Sequence, residues 1–107
     1  MSSFTILIAA RRINEHISAF LRTLSKRKQR VYVRKCANKL GEELIETIDA
    51  VKDGDREEVI HEAADVILRL LNVLGARGIS LEQVMPVLKK RVDSYTTKNH
   101  LEDSAGS

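Results

Sequence analysis

Two apolar stripes of helical period, separated by Asp53-Gly54-Asp55, constrain this chain more than any other feature. Leu40, Leu44, Ile48 and Val51 recur at i, i+4, i+8 and i+11, one face of a helix. Val59, Ala63, Val66, Ile67, Leu70 and Leu74 form the second stripe. Between them Gly54 supplies a residue that accepts the left-handed conformation ending helices. Asp55, with Glu58 three residues on, has the pattern of a capping box. Glu57 and Glu58 also suit the positive end of a helix dipole. The spacing predicts helices over about 31–52 and 56–74, joined by a short turn into an antiparallel pair.

The flanks extend this pair into a bundle. Ile6, Ile13, Ile17, Phe20, Leu21 and Leu24 predict a first helix over about 5–27, an extended stretch from Phe4 to Ile8 being the alternative. Lys26-Arg27-Lys28-Gln29-Arg30 reads as a polar break. Gly75 to Gly78 closes the third helix. Ser80 with Gln83 opens a fourth that runs through Arg91 or beyond, with a kink expected at Pro86. The tail over 94–107 lacks apolar periodicity and reads as mobile. The expectation is an all-α bundle of four to five helices around an antiparallel central pair. Residues 1–107 form a single domain in this reading, with the motif-bearing part over about 31–93.

No apolar run approaches the roughly 20 residues that span a bilayer. Phe4 to Ala10 is short and has no basic region before it, which argues against a signal peptide and for a cytoplasmic chain. The lone Cys36 fits a reducing compartment and a structural role. The apolar surface offered by Leu40, Leu44, Val66, Leu70, Leu71 and Val84 exceeds what one helix pair covers, so a homodimer or higher homo-oligomer is expected.

Charge is divided unevenly. Residues 1–40 hold ten Lys or Arg against one acid, whereas residues 41–70 hold ten acids against three bases. Such asymmetry suits either nucleic-acid contact or an anionic substrate held near a metal. The basic stretch from Arg22 to Lys39 offers only Tyr32 for base stacking and no recognisable motif, which argues against nucleic acid.

The acidic half carries two pairs, Glu43-x-x-Glu46 and Glu62-x-x-Asp65. Residues three apart lie on neighbouring turns of one helix face. At ~1.5 Å rise per residue, Glu46 and Glu62 lie roughly 11 and 13 Å from the turn, and Glu43 and Asp65 roughly 16 and 17 Å. The pairs are therefore level across the antiparallel helices, and they border the apolar stripes. Four like charges at a partly dry seam need a cation or protons to offset them. Oxygen ligands without His or Cys favour Mg²⁺ or Mn²⁺. A solvated acidic face is the alternative that this geometry leaves open.

The run Lys39-Leu40-Gly41-Glu42-Glu43-Leu44-Ile45-Glu46, followed by Gly54-Asp55-Arg56-Glu57-Glu58 and Glu62-Ala63-Ala64-Asp65, resembles the phosphoribosyl-ATP pyrophosphohydrolases. These belong to the all-α, MazG-like pyrophosphohydrolases. The likeness continues through Leu70-Leu71, Gly78-Ile79-Ser80-Leu81 and Val84 to Lys89-Lys90-Arg91, and covers about residues 39–91. It implies magnesium-dependent hydrolysis of an α–β phosphoanhydride with release of pyrophosphate, the histidine-pathway substrate being phosphoribosyl-ATP. It also implies that Glu43, Glu46, Glu62 and Asp65 hold the metal, with Glu42 in the catalytic motif either orienting Lys39 or supporting the ligands.

Two stretches depart from the family pattern. Arg30-Val31-Tyr32-Val33 stands where a Ser-aromatic-Thr signature is usual, and Leu68-Arg69 where an aromatic and a histidine are usual. These changes leave open a MazG-like enzyme acting on other (d)NTPs. A non-enzymatic helical module with a basic N-terminal arm is the remaining alternative. Lys39, Arg56, Arg69 and Arg91 are candidate phosphate contacts, Arg69 lying one turn beyond Asp65. His61 points about 100° away from Glu62 and reads as a surface residue.

Overall fold

The computed structural model describes residues 5–97. They form four helices: α1 (Ile6–Leu21), α2 (Lys26–Asp53), α3 (Arg56–Ala76) and α4 (Leu81–Thr97). The all-α expectation holds. The possibility of an extended start is settled from Ile6 onward, which is helical, while Phe4 lies outside the described residues.

The break between α1 and α2 falls at residues 22–25, earlier than the sequence suggested. The basic run Lys26 to Arg30 is the first turn of α2 rather than a break. Positive charge at a helix N-terminus is unfavourable, but local hydrogen bonds override it. Ser25 caps the helix, its side chain accepting from Lys28 N at 3.2 Å. Gln29 Nε2 donates to the Leu21 and Leu24 carbonyls at 2.9 and 3.2 Å, tying the start of α2 to the end of α1 and to the turn between them. Phe20 and Tyr32 meet edge to face across the corner with centroids 5.2 Å apart.

The α2–α3 turn forms as its residues dictate. Gly54 sits in the left-handed region at φ 77°, and its N–H reaches the Ala50 carbonyl at 3.1 Å. Asp55 Oδ1 accepts from Glu58 N at 3.1 Å. The α3–α4 turn ends at Gly78, φ 69°, with Ile79 N bonded to the Leu74 carbonyl at 2.9 Å. Gln83 Oε1 accepts from Ser80 N at 2.9 Å, the backward half of the expected capping box.

α3 packs on α2 and on α1, and α1 also meets α4. This corrects the single buried stripe expected on α3. Ile67 and Leu70 are 48% and 44% exposed, and the buried positions are Leu71, Gly75 and Ala76. With two neighbours on different sides, the apolar positions of α3 serve two contacts rather than one. The α1 side forms the core, where Ala10, Leu71 and Leu81 are enclosed by Leu7, Ala9, Ile13, Leu74 and Val84. The α2 side buries Cys36 and Ala50 and carries the acidic residues.

α4 continues through Pro86 without interruption. Ser94–Thr97, expected within a mobile tail, are its last turn. A Lys89–Asp93 ion pair at 2.7 Å and Thr96 and Thr97 hydroxyls bonded to preceding carbonyls supply local contacts that apolar periodicity cannot reveal. The rest of that tail, 98–107, lies outside the described residues. Among the described residues no helix is long and apolar enough to cross a membrane.

Candidate metal centre

Glu43 faces α3 from the middle of α2, and Glu62 and Asp65 rise from α3 at the same height. One carboxylate oxygen from each of the three lies within 4.8 Å of the others. The Thr47 hydroxyl fixes this level. It is 2.7 Å from the Glu43 carbonyl and 3.3 Å from the Glu62 carbonyl, bridging the two helices beside the acidic side chains. Thr47 was not anticipated from the sequence. The available signal was a threonine one turn after Glu43, where its hydroxyl can bond the i−4 carbonyl.

Glu43 and Glu62 are half-buried, and Asp65 is exposed at the mouth. Burial pushes the Glu43 carboxyl above the usual carboxylate range. The neighbouring Glu46 and Asp65 charges push it further, and its contact with Glu62 opposes them. Glu62 is raised in the same way, first by burial and then by Glu46, Glu43 and Asp65. Glu46 is exposed and stands outside the tight group of three, yet its charge acts on both half-buried glutamates.

Two buried oxygens, Glu43 Oε2 and Glu62 Oε2, have no hydrogen-bond partner. An unsatisfied buried acceptor is costly, and carboxylates carrying two such acceptors in a converging group of three present the donor set of a hard divalent cation. The residues present therefore fit Mg²⁺ or Mn²⁺. A second concavity, an open groove of about 520 Å³ between α1 and α3, is walled by Ile6, Ala9, Ile13, Ala64, Ile67 and Leu71. It carries no acid, so the seam is where cation chemistry belongs.

The candidate cations separate. Arg69 Nε lies 4.0 Å from Glu43 Oε1, inside the seam. Lys39 pairs with Glu42 at 3.3 Å on the exposed side of α2, so Glu42 faces away from the cluster. Among the described residues no ion pair brings Arg56 or Arg91 to the carboxylates. Arg91 instead lines a surface concavity on α4 with Pro86, Val87 and Lys90. His61 is exposed, as its position on the helix implied.

The fold and site define a class: an all-α bundle carrying a carboxylate cluster on the seam of an antiparallel helix pair. Comparison with known proteins gives the family. Residues 2–92 match the family model described as phosphoribosyl-ATP pyrophosphohydrolase, and the chain belongs to that family. A phosphoribosyl-ATP pyrophosphatase of Erythrobacter litoralis is 42% identical over 84 residues, covering 78% of this chain and 77% of the relative. One from Methylobacterium nodulans is 46% identical over 71 residues, covering 66% and 63%. One from Methanococcoides burtonii is 46% identical over 59 residues, covering 55% and 60%. The chain thus spans less than two thirds of the length of two of these three relatives.

Proposed function

We propose that this chain is a divalent-metal-dependent phosphoribosyl-ATP pyrophosphohydrolase, converting phosphoribosyl-ATP to phosphoribosyl-AMP and pyrophosphate. The observation that carries the reading is the cluster itself. Glu43, Glu62 and Asp65 converge within 4.8 Å, two of their oxygens are buried without partners, and the chain belongs to the family.

Glu43, Glu62 and Asp65 would hold Mg²⁺, with Mn²⁺ as the alternative ion, and Glu46 would close the rim. Bound there, the metal would neutralise polyphosphate charge and lower the pKa of an attacking water. Hydrolysis adds the elements of water across the α–β bridge, releasing the β- and γ-phosphates as pyrophosphate and leaving the α-phosphate on the adenylate side of phosphoribosyl-AMP, whose phosphoribosyl phosphate is untouched. Thr47 ties the backbones under Glu43 and Glu62 together, which would preorganise their carboxylates for a metal. Arg69, whose Nε lies 4.0 Å from Glu43 Oε1, would offer its guanidinium to a phosphate oxygen of the substrate. Lys39, on the exposed side of α2 beside Glu42, would serve as a further phosphate contact.

The working unit in this reading is a homodimer. Leu44, Ile45, Ile48 and Val51 leave one side of α2 between 45% and 62% exposed, an apolar face that a single chain does not cover. A cytoplasmic setting agrees with the free, buried Cys36.

The test is a pyrophosphate-release panel of phosphoribosyl-ATP, ATP and the common (d)NTPs, each with MgCl₂ and with EDTA. Magnesium-dependent turnover favouring phosphoribosyl-ATP supports the proposal. Preference for a canonical (d)NTP transfers the same site to a house-cleaning role. No release from any nucleotide, with salt-sensitive nucleic-acid binding, replaces the enzyme with an interaction module.

A further inference from the structure

Glu43 is approached from two sides. Its Oε1 lies 4.0 Å from Arg69 Nε, while its Oε2, like Glu62 Oε2, is buried without a hydrogen-bond partner. Arg69 Nε is likewise buried and makes no hydrogen bond, so the guanidinium is held next to Glu43 rather than bonded to it. The side chains are 34% and 15% exposed, so solvent screens the pair only in part.

Burial raises the Tyr32 hydroxyl on α2 above its usual range, and the Arg69 charge opposes that rise. Tyr32 itself stands edge-on against Phe20. Among the described residues no other cation forms an ion pair with the carboxylate cluster. The acidic seam therefore contains one positive charge of its own, and it sits on the carboxylate that a metal would need.

We infer that Arg69 is a positioning residue that serves as the seam's own counter-cation, holding Glu43 in place until a divalent ion takes over that carboxylate. Guanidinium and metal are like charges competing for one ligand, so each weakens the other's hold on Glu43. Arg69 then keeps the cluster assembled without metal while lowering its metal affinity. This inference rests on the metal reading above, and the experiment separates the two.

Mg²⁺ alone is titrated calorimetrically into the full chain, wild type, Arg69→Gln and Arg69→Lys. The expected result is a Mg²⁺ dissociation constant about threefold lower or more in Arg69→Gln, with Arg69→Lys close to wild type. A merely structural arginine gives the opposite sign, because a loosened site binds metal more weakly. In parallel, melting temperatures in EDTA are measured for Arg69→Gln, Glu43→Gln and the double variant. Counter-ion pairing predicts that the double variant's change in melting temperature lies above the sum of the two single changes, whatever the sign of each. Additive changes, or unchanged or weaker Mg²⁺ binding in Arg69→Gln, overturn the inference. If the wild-type chain binds no Mg²⁺, the metal reading and the hand-over fall together, and the cycle in EDTA alone decides whether Arg69 pairs with Glu43.

Discussion

The Thr47 hydroxyl lies 2.7 Å from the Glu43 carbonyl on its own helix and 3.3 Å from the Glu62 carbonyl on the facing one. One hydroxyl proton is thus shared between the backbones of two carboxylate-bearing residues. The contact is part-buried, where such bonds resist competition from water. It fixes the helices at the height where the acids meet, although Thr47 carries no charge of its own.

Thr47→Val keeps the β-branched shape and removes the hydroxyl. Urea denaturation should show a loss of about 1 kcal/mol, the typical net value of such a bond. The same variant should bind Mg²⁺ more weakly than wild type, because the carboxylates are no longer held in register. Unchanged stability would mean that the inter-helix half of the bond contributes nothing.

Removing individual acids should rank them by place. Glu43→Gln and Asp65→Asn should lower pyrophosphate release at least about 100-fold while far-ultraviolet dichroism stays helical. Glu46→Gln, at the rim, should lose less. Glu42→Gln should stay near wild type, since Glu42 faces outward to Lys39. Full activity in Glu43→Gln would remove Glu43 from the metal site.

The raised carboxyls set a pH dependence. In the folded chain Glu43 and Glu62 take up protons more readily than at their ordinary value of 4.5. The native state therefore holds more protons than the unfolded state between 4.5 and the raised values. Their contribution is fully present below 4.5 and is lost as pH rises through the raised values. In EDTA, the melting temperature of wild type relative to Glu43→Gln/Glu62→Gln should fall over that window. Mg²⁺ should restore it at neutral pH and do little in acid, where protons occupy the ligands. A pH-independent difference would contradict the shared burial of the two groups.

Gly75 marks the close approach of α1 to α3. A Cβ there would lie 2.8 Å from Asn14 Oδ1 and 3.0 Å from Ile17 Cδ1. Ile17 is 2% exposed and has nowhere to retreat. Alanine gains up to about 1 kcal/mol in helix propensity, but overpacking costs roughly 1–3 kcal/mol. Gly75→Ala should therefore destabilise by about 1 kcal/mol in chemical denaturation. Stabilisation would show that Asn14 swings aside freely.

The sequence carried the hairpin well because its signals are local. Gly54 and Asp55 fix the turn, and a constant rise per residue then sets Glu43 level with Asp65. What it carried poorly was non-local or hydrogen-bonded. The Lys26 to Arg30 run looked like a linker because its charges oppose the helix dipole, and the compensating Ser25 cap and Gln29 side chain act across the corner. On α3, apolar positions serve α1 on one side and α2 on the other, so a single stripe assigned too much burial to Ile67 and Leu70. Arg69 could be placed on the right face, but its contact with Glu43 depends on how closely the two helices approach.

The same division of apolar faces bears on the oligomeric state. Leu44, Ile48 and Val51 share one face of α2, and they are 45%, 51% and 59% exposed. The α3-facing positions of α2 are occupied instead by Cys36, Glu43, Thr47 and Ala50. A second uncovered face lies on α4, where Val87, Leu88 and Val92 are 53%, 47% and 48% exposed. Full burial of such a side chain from full exposure is worth roughly 1.5–3 kcal/mol, and these half-exposed ones have about half of that left to gain, a driving force for covering both faces with a second copy that must exceed the entropy cost of association. Light scattering should give twice the chain mass. Ile48→Glu places a charge in the centre of the α2 face, where burial without a partner is costly, and should yield a monomer that remains helical. A wild-type monomer at micromolar concentration, or an Ile48→Glu chain that still pairs, would move the interface away from α2.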